Sequence, residues 1–210
     1  MTEKYIEYKK QSYLDEFLSL KCSGDVLNIV SPIQNAQKEI TESMAVLKRV
    51  RKISLKNPMN YTLYDFCAGN ALTSVLAAHL LPIKQVIAVD NRGRSRDWYK
   101  AKRFTYEFSD IYDFPVNRIN KDSIMVSIHP CSNLAERVIE IYNNSTAEFL
   151  ILMPCCNGGI RIGTPDLIRE KIGKYLIWCW DLASRCVGRV NMVIDSKCLS
   201  PKNCILIAKK

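Results

Sequence analysis

From residue 61 onward, short apolar segments alternate with segments of helical periodicity. The predicted strands lie at 61–66, 85–89, 105–108, 123–128 and 148–153, and the predicted helices between them at 72–81, 94–104 and 134–142. Because parallel strands are joined by long crossover connections that usually contain a helix, this alternation predicts a mainly parallel sheet. A longer helix is predicted from Thr164 through Trp180, and two β-rich runs that flank residues 196–203 predict an antiparallel hairpin at the end.

Residues 1–57 lack this alternation and are predicted to form an N-terminal helical extension, with 58–210 as the sheet-containing domain. Apolar residues at helical spacing predict one helix over 4–20, followed by a loop at 21–25. We expect a second helix with Ser31 as its N-cap and Pro32 in its first turn, ending at residues 57–58.

The composition excludes several classes of protein. The 210 residues are 48% hydrophobic and 24% charged, as expected for one globular domain. No apolar run approaches the roughly 20 residues of a membrane span, and the charged N-terminal segment is unlike a secretory signal. The nine cysteines include no C-x-x-C pair, so we expect reduced thiols in an intracellular, cytoplasmic protein and no metal site.

The net charge of +9 favours a polyanionic partner, because lysine and arginine gain binding energy when they displace counterions from phosphates. Two clusters of basic residues are therefore candidates for contact with the backbone of RNA. The first comprises Lys48, Arg49, Arg51 and Lys52, and the second comprises Arg92, Arg94 and Arg96. A solvated helix face without a partner is the alternative explanation for both clusters.

Two acidic residues are predicted to end neighbouring strands at the same edge of the sheet. Asp65 lies at the end of the first strand and Asp90 at the end of the second. In open parallel sheets, ligands bind beyond the carboxyl ends of the strands, where an acid after the second strand can accept both ribose hydroxyls. Small residues in the turn after the first strand allow a ligand to approach the backbone. They are Cys67, Ala68, Gly69 and Asn70. The sequence therefore predicts a site for a nucleotide-like ligand.

The turn contains one glycine and no phosphate-binding motif, which disfavours a nucleotide with a di- or triphosphate. S-adenosylmethionine has no phosphate, and its positive charge favours a nearby carboxylate. With these features and the antiparallel ending, residues 61–210 resemble the class I S-adenosylmethionine-dependent methyltransferases. The resemblance implies an α/β fold with a Rossmann-like, seven-stranded mixed sheet, its last strand antiparallel, and helices on both faces.

The resemblance also implies roles for individual residues. Asp65 would help to hold the methionine end of the cofactor, Asp90 the ribose, and Asp110 the adenine amino group. The turn residues 67–70 would surround the cofactor. The remaining predicted cofactor contacts are Asn91, Ile111 and His129.

Three segments carry a narrower resemblance: DFCAGNALTSVLA, HPCSNLAERVI and MPCCNGG. They are similar to segments of the eukaryotic tRNA 2′-O-methyltransferases that act on the acceptor stem, and of related methyltransferase-like proteins. This resemblance implies methyl transfer to a ribose hydroxyl of tRNA, with His129, Cys155 and Asn157 at the transfer site. In that group a histidine commonly follows the paired cysteines, whereas this chain has Asn157.

Other functions stay open at this point. The RNA cytosine-5 methyltransferases place cysteines after the same two strands, so Cys131 and Cys155 are alternative nucleophiles. A methyltransferase that acts on a small molecule or a protein is a second alternative, and a non-catalytic RNA-binding module of this fold is a third. A partner protein that supplies substrate recognition is also compatible with the sequence.

Overall fold

The structure is a computed structural model that describes residues 11–210, and the strands of this part of the chain form one mixed sheet. The strands are β1 (Thr62–Phe66), β2 (Gln85–Asp90), β3 (Phe104–Phe108), β4 (Ser123–Ile128), β5 (Phe149–Met153), β6 (Arg189–Ile194) and β7 (Cys204–Lys209). Their order across the sheet is β3-β2-β1-β4-β5-β7-β6. The first five are parallel, and β7 is antiparallel to both β5 and β6. This topology confirms the predicted seven-stranded, Rossmann-like sheet with an antiparallel last strand.

Helices cover both faces of the sheet, as predicted. They are α1 (Tyr13–Leu18), α2 (Ser23–Val30), α3 (Ala36–Ser54), α4 (Leu72–Leu80), α5 (Asn133–Asn144), α6 (Asp166–Ile172) and α7 (Lys174–Arg185). Successive strand side chains point to opposite faces. Leu63 therefore lies in the core beneath α1 to α4, and Tyr64 lies in the core beneath α5 and α7. None of the helices in residues 11–210 has both the length and the hydropathy of a membrane span.

The N-terminal helices differ from the prediction. Residues 21–25, predicted as a loop, include the first residues of α2, which buries Val26, Ile29 and Val30. This burial stabilises a short helix that local sequence signals do not mark. The predicted helix at 4–20 corresponds to α1 in the described residues, and its first seven residues lie outside them.

The predicted start of the second helix was wrong. Ser31 does not cap it: Ser31 is the C-cap of α2, and its peptide bond to Pro32 is cis. The next helix, α3, begins only at Ala36 and ends at Ser54. Its buried face packs against α1 and α4 and reaches the carboxyl ends of the central strands.

Two further helix predictions need correction. Residues 94–104 form no α-helix: a 3₁₀ turn at Trp98–Lys100 is followed directly by β3. The centroids of the Trp98 and Tyr106 rings lie 3.7 Å apart in a stacked arrangement. This segment therefore packs on β3 through an aromatic contact and not through the face of a helix. The long helix after Thr164 is interrupted at Gly173, whose φ of 82° lies outside the helical region and separates α6 from α7.

The order of the strands determines where a ligand can bind. β1 lies between β2 and β4, so the direction in which strands are added reverses between β1 and β4. Connections at such a reversal leave opposite faces of the sheet and open a crevice beyond the carboxyl ends of the strands.

Candidate active site at the carboxyl ends of the strands

The loop after β1 makes a tight turn into α4. Cys67, Gly69 and Ala71 have φ values of 60°, 59° and 62°, and only glycine adopts this region without a steric penalty. A Cβ atom on Gly69 would lie 3.2 Å from the Arg92 guanidinium, so the loop and the segment after β2 approach closely here. The backbone N–H of Gly69 consequently points at the end of β2.

Asp90, the last residue of β2, accepts that hydrogen bond. Its Oδ2 lies 2.8 Å from the Gly69 nitrogen, and its Oδ1 lies 2.8 Å from Nε of Arg92. Burial acts to raise the pKa of Asp90, but the hydrogen bonds from Arg92 and Gly69 outweigh it and hold the pKa below its ordinary value. The Arg92 side chain is 57% exposed and covers the carboxylate on the side of the solvent.

Two connected cavities flank this loop. The α3 lobe has a volume of about 240 Å³ and is lined by α3 and the loop residues 67–70. The β2 lobe has a volume of about 260 Å³ and is lined by Asp90, Asn91, Ser109, Ile111 and Leu134. Both lobes share Cys67, Arg92 and His129, which form the neck between them. The two lobes are thus one crevice that crosses the carboxyl ends of β1, β2 and β4.

Sequence reasoning missed the residues that α3 contributes. Lys38, Glu39, Glu42 and Ser43 line the α3 lobe. Glu39 accepts a hydrogen bond of 2.8 Å from the Asn70 amide, which ties α3 to the loop. Burial raises the pKa of Glu42 to about 7, although Lys38 opposes the shift. One sequence signal could have indicated that this face of α3 lines a site. Glu39 and Glu42 lie three positions apart, and therefore on one face, in a helix whose other charged residues are basic.

His129 lies at the neck, directly after β4. It has a positive φ of 56°, and its backbone N–H donates a hydrogen bond of 2.7 Å to the Met153 carbonyl at the end of β5. Its Nε2 lies 3.2 Å from Oε1 of Glu42, yet neither atom has a hydrogen bond among the described residues. Burial, together with the positive charge of Lys38, lowers the pKa of His129 to about 4. These two buried polar atoms therefore receive no hydrogen bond at the crevice, although Nζ of Lys38 lies 3.7 Å from Oε1 of Glu42.

The structure corrects the predicted role of Asp65. This carboxylate is 2% exposed and lies beneath the loop, outside both lobes, where it accepts a hydrogen bond of 2.6 Å from the Ser74 hydroxyl. Burial raises the pKa of Asp65 to about 7, and the nearby Asp90 adds to the increase. Asp65 supports the junction of β1 and α4, whereas Glu39 and Glu42 line the α3 lobe.

This raised pKa predicts a pH dependence of stability. A carboxyl group with a higher pKa in the folded chain stabilises it below pH 3.8, and this contribution is lost as the pH rises to about 7. We expect the free energy of unfolding to fall across this window by up to about 1.4 kcal/mol per pH unit. Asp65→Asn, which keeps an acceptor for Ser74, should remove the contribution of Asp65 to this decrease and leave that of Glu42, whose pKa burial also raises to about 7. Denaturant unfolding of both proteins at about pH 5 and about pH 8 measures it, and an equal pH dependence would contradict the assignment.

Of the predicted cofactor contacts after β2 and β3, Asn91 and Ile111 lie at the β2 lobe and Asp110, the predicted adenine contact, does not. Ile111 is buried and lines the lobe, together with Asn91. Asp110 does not line the lobe itself: its Oδ1 accepts from the Tyr112 backbone N–H at 2.9 Å, and its Oδ2 lies 3.3 Å from the Asn91 amide. Asp110 therefore orients Asn91 and the turn after β3.

The structure brings the cysteines after β4 and β5 together but leaves Asn157 apart. Sγ of Cys155 lies 3.4 Å from Sγ of Cys131, beside the backbone carbonyl of His129. Asn157 is exposed and lines neither lobe, so the prediction that it belongs to the transfer site is not supported by its position. The connection after β5 turns it away from the crevice.

The two predicted basic clusters have different positions. Arg92, Arg94 and Arg96 line a groove of about 370 Å³ that continues from the α3 lobe. Lys48, Arg49, Arg51 and Lys52 follow on α3, the last of them about 15 Å along the helix axis from Glu42 at 1.5 Å per residue. Arg49 does not fit a phosphate contact, because its guanidinium is largely buried and pairs with Asp195 at 2.6 Å.

The residues of this crevice fit S-adenosylmethionine. The β2 lobe combines apolar side chains with the Asp90 carboxylate, which suits an adenosine. The α3 lobe combines two acidic residues, Glu39 and Glu42, with Lys38. The acids suit the ammonium and sulfonium groups of the methionine part of the cofactor, and the lysine suits its carboxylate. The specific observation is Oε1 of Glu42, which is buried and accepts no hydrogen bond, with Nζ of Lys38 3.7 Å away. A buried carboxylate oxygen without a hydrogen-bond donor is costly unless a ligand supplies one.

Comparisons with known proteins agree with this site. A family model described as "Methyltransferase domain" matches residues 35–162, more than half of the chain, and thus includes α3. The protein named "Glutathione S-transferase C-terminal domain-containing protein" from Bos taurus is 31% identical over 100 residues. The aligned region covers 46% of this chain and only 16% of the bovine protein.

Solved structures share the fold at low sequence identity. The S-adenosylmethionine-dependent methyltransferase SibL has a TM-score of 0.54 and 8% identity, over 96% of this chain and 63% of that chain. The 23S rRNA methyltransferase ErmE has a TM-score of 0.50 and 10% identity, over 78% of this chain and 68% of that chain. With the family match and the crevice at the strand ends, the chain belongs to the methyltransferase-domain family and has the fold of the class I S-adenosylmethionine-dependent methyltransferases.

Proposed function

We propose that this methyltransferase acts on RNA, and that its acceptor is a ribose 2′-hydroxyl of tRNA. The observation that carries the RNA assignment is the groove of arginines beside the crevice. Arg94 and Arg96 line it, and no carboxylate of residues 11–210 lies within ion-pair distance of either. Glu39 also lines the groove, where it is hydrogen-bonded to Asn70. Guanidinium groups without an ion-pair partner are well suited to phosphates, which they can bind through two parallel hydrogen bonds.

Exposed aromatic side chains surround the same edge of the sheet. Tyr99 is 81% exposed, Phe108 68% and Tyr112 53%. Aromatic rings next to a basic groove offer stacking surfaces for unpaired bases. Their positions, after β2 and around the end of β3, support an acceptor RNA that passes the mouth of the crevice.

The tRNA and 2′-hydroxyl assignments rest on the resemblance of the segments after β1, β4 and β5 to the acceptor-stem tRNA 2′-O-methyltransferases. The structural neighbour ErmE, by its title, methylates 23S rRNA, which supports an RNA substrate for this fold in general. We also propose that a partner protein assists recognition of the RNA.

The chemistry would be an in-line displacement at the methyl carbon of the sulfonium, in which the acceptor oxygen bonds to carbon and the sulfur leaves as a neutral thioether. S-adenosylmethionine, when bound, supplies an electrophilic methyl group. Glu39 and Glu42 would hold the methionine end, and Asp90 the ribose, so that the methyl group faces the neck. His129 and Cys131 border the β2 lobe at this point and would orient the acceptor hydroxyl. Holding the oxygen about 3 Å from the methyl carbon accounts for much of the acceleration in such reactions.

A covalent cytosine-5 mechanism is less well supported. It would need one cysteine set apart as a nucleophile and activated by a neighbouring base. Cys131 and Cys155 instead contact each other at 3.4 Å, and burial raises the pKa of the Cys131 thiol above its ordinary value. The nucleoside analysis described next would detect cytosine methylation if it occurred.

Product analysis tests the proposal directly. The purified chain is incubated with labelled S-adenosylmethionine and total RNA, which is then digested to nucleosides for mass spectrometry. We expect label in a 2′-O-methylnucleoside from the tRNA fraction. A labelled base, or label transferred only to protein or to small molecules in a lysate, would contradict the proposed acceptor.

Removing the groove charges should weaken RNA binding and its salt dependence. For a variant with Arg94→Gln and Arg96→Gln, we expect the slope of log K against log salt to fall by about one for each arginine that contacts a phosphate. Filter binding of tRNA over a range of salt concentrations measures the slope. Lys84→Gln with Lys121→Gln is the matched control, because both lysines are exposed and precede β2 and β4 at the opposite edge of the sheet. Equal slopes for the two variants would contradict the proposal that the arginine groove binds RNA.

A further inference from the structure

Three thiol groups meet at the rim of the crevice. Sγ of Cys131 lies 3.4 Å from Sγ of Cys155 and 3.5 Å from Sγ of Cys156, and the latter two are 3.5 Å apart. The sulfurs thus form a nearly equilateral triangle. All three cysteines are free thiols, and Cys131 and Cys156 are exposed, so an ion from solution can reach them.

The triangle has the dimensions of a thiolate metal site. A zinc ion bound at about 2.3 Å to each sulfur of a regular tetrahedron separates the sulfurs by about 3.8 Å. The observed separations need to widen by only about 0.3 Å to reach this geometry. At these separations, the ion lies about 1 Å out of the plane of the sulfurs, which leaves the fourth tetrahedral position open.

The backbone holds both cysteine segments in place. The Tyr175 hydroxyl donates a hydrogen bond of 3.0 Å to the carbonyl of Pro154, just before the paired cysteines. A Cβ atom on Gly158 would lie 2.5 Å from the buried Trp178 ring, so the chain after them runs directly against α7. The His129 N–H binds the carbonyl of Met153 and aligns the end of β4 with that of β5. The thiols are therefore positioned before any ion binds.

We propose that Cys131, Cys155 and Cys156 bind one zinc ion through three thiolates, with the fourth position taken by water or another exogenous ligand. Soft thiolate ligands select zinc among the common divalent ions, and each thiol releases its proton to solvent on binding. Within residues 11–210, no histidine, cysteine or acidic side chain lies close enough to the three sulfurs to serve as a fourth ligand. Because Cys131 also lines the β2 lobe, the ion would join the segments after β4 and β5 beside the transfer site.

Metal analysis tests this proposal without RNA or methyl transfer. The reduced chain is loaded with ZnCl₂, dialysed, and analysed by mass spectrometry for metal content, and a second sample is loaded with CoCl₂. We expect one zinc per chain, and for cobalt the visible spectrum of a tetrahedral site with thiolate-to-metal charge-transfer bands. Cys131→Ser, Cys155→Ser and Cys156→Ser should each abolish stoichiometric retention. Cys22→Ser, a half-buried cysteine outside the triangle, is the matched control and should retain the metal.

A second measurement separates loss of the ligand from loss of the fold. Zinc should raise the midpoint of thermal unfolding of the wild-type chain and of Cys22→Ser, but not that of the three triangle variants, whose circular dichroism should match the wild type. Zinc retention by the wild type no greater than that of the triple variant would overturn the proposal. A Cys131–Cys155 disulfide in protein kept under reductant, or retention of copper(I) but not zinc, would overturn it equally. None of these outcomes depends on the acceptor of the methyl group.

Discussion

Asp90→Asn is expected to weaken the binding of S-adenosylmethionine by about 10- to 100-fold, since hydrogen bonds to a buried charged group contribute about 1.5–3 kcal/mol. The carboxylate is 5% exposed at the end of β2 and lines the β2 lobe. Asparagine has the same size, but its amide offers one acceptor where ribose hydroxyls need two. Isothermal titration calorimetry with the cofactor measures the loss.

Two controls make this result interpretable. Asp97→Asn changes an exposed aspartate that pairs with Lys100, and we expect its cofactor affinity to equal that of the wild type. Because Asp90 also accepts the Gly69 N–H, the thermal midpoint of Asp90→Asn must be measured as well. A folded Asp90→Asn variant with unchanged affinity would show that the ribose lies elsewhere.

Asp181→Ala is expected to lower the free energy of unfolding by about 3 kcal/mol, the scale found when one partner of a buried ion pair is removed. Asp181 is fully buried in α7 and forms an ion pair with Arg185. Its Oδ1 also accepts the backbone N–H groups of Arg161 and Ile162, each at 2.8 Å. These two hydrogen bonds attach the long connection after β5 to α7. Urea denaturation measures the change.

The control for this variant is Asp113→Ala, an exposed aspartate after β3, which should change stability by less than about 0.5 kcal/mol. We also expect limited proteolysis of Asp181→Ala to start near residues 161–162, because the backbone there loses its acceptor. A loss of stability below about 1 kcal/mol, with no new cleavage site, would mean that other contacts hold this connection.

The sheet could be predicted from local patterns because its central strands are buried on both faces. The apolar runs that become β1, β2, β4 and β5 need no knowledge of their partners, and crossovers of the right length make them parallel. Residues 94–104 show the limit of this reasoning. Their connection is long enough for a helix, yet stacking of Trp98 on Tyr106 decides the structure, and no local signal reports a contact with the following strand.

Some residues of the candidate site could likewise be predicted from the sequence, whereas others could be found only in the tertiary structure. The loop 67–70 and Asp90 follow from their positions at strand ends, and both lie at the crevice. Glu39 and Glu42 were missed because they are near the crevice only through the packing of α3 on α4. Asp65 was assigned to the cofactor because it ends a strand, but the pleat turns its side chain beneath the loop toward Ser74.

The sequence by itself determined the α/β class, the order of the strands along the chain, and the edge of the sheet at which the crevice lies, because periodicity and strand ends are local properties of the chain. Only the tertiary structure decided which side chains share that edge. Cys131 is 24 residues from Cys155, and Glu42 is far from His129 in sequence, yet their polar atoms lie 3.4 Å and 3.2 Å apart in space. Distances of this kind arise when helices dock on a sheet, and this docking depends on the whole hydrophobic core.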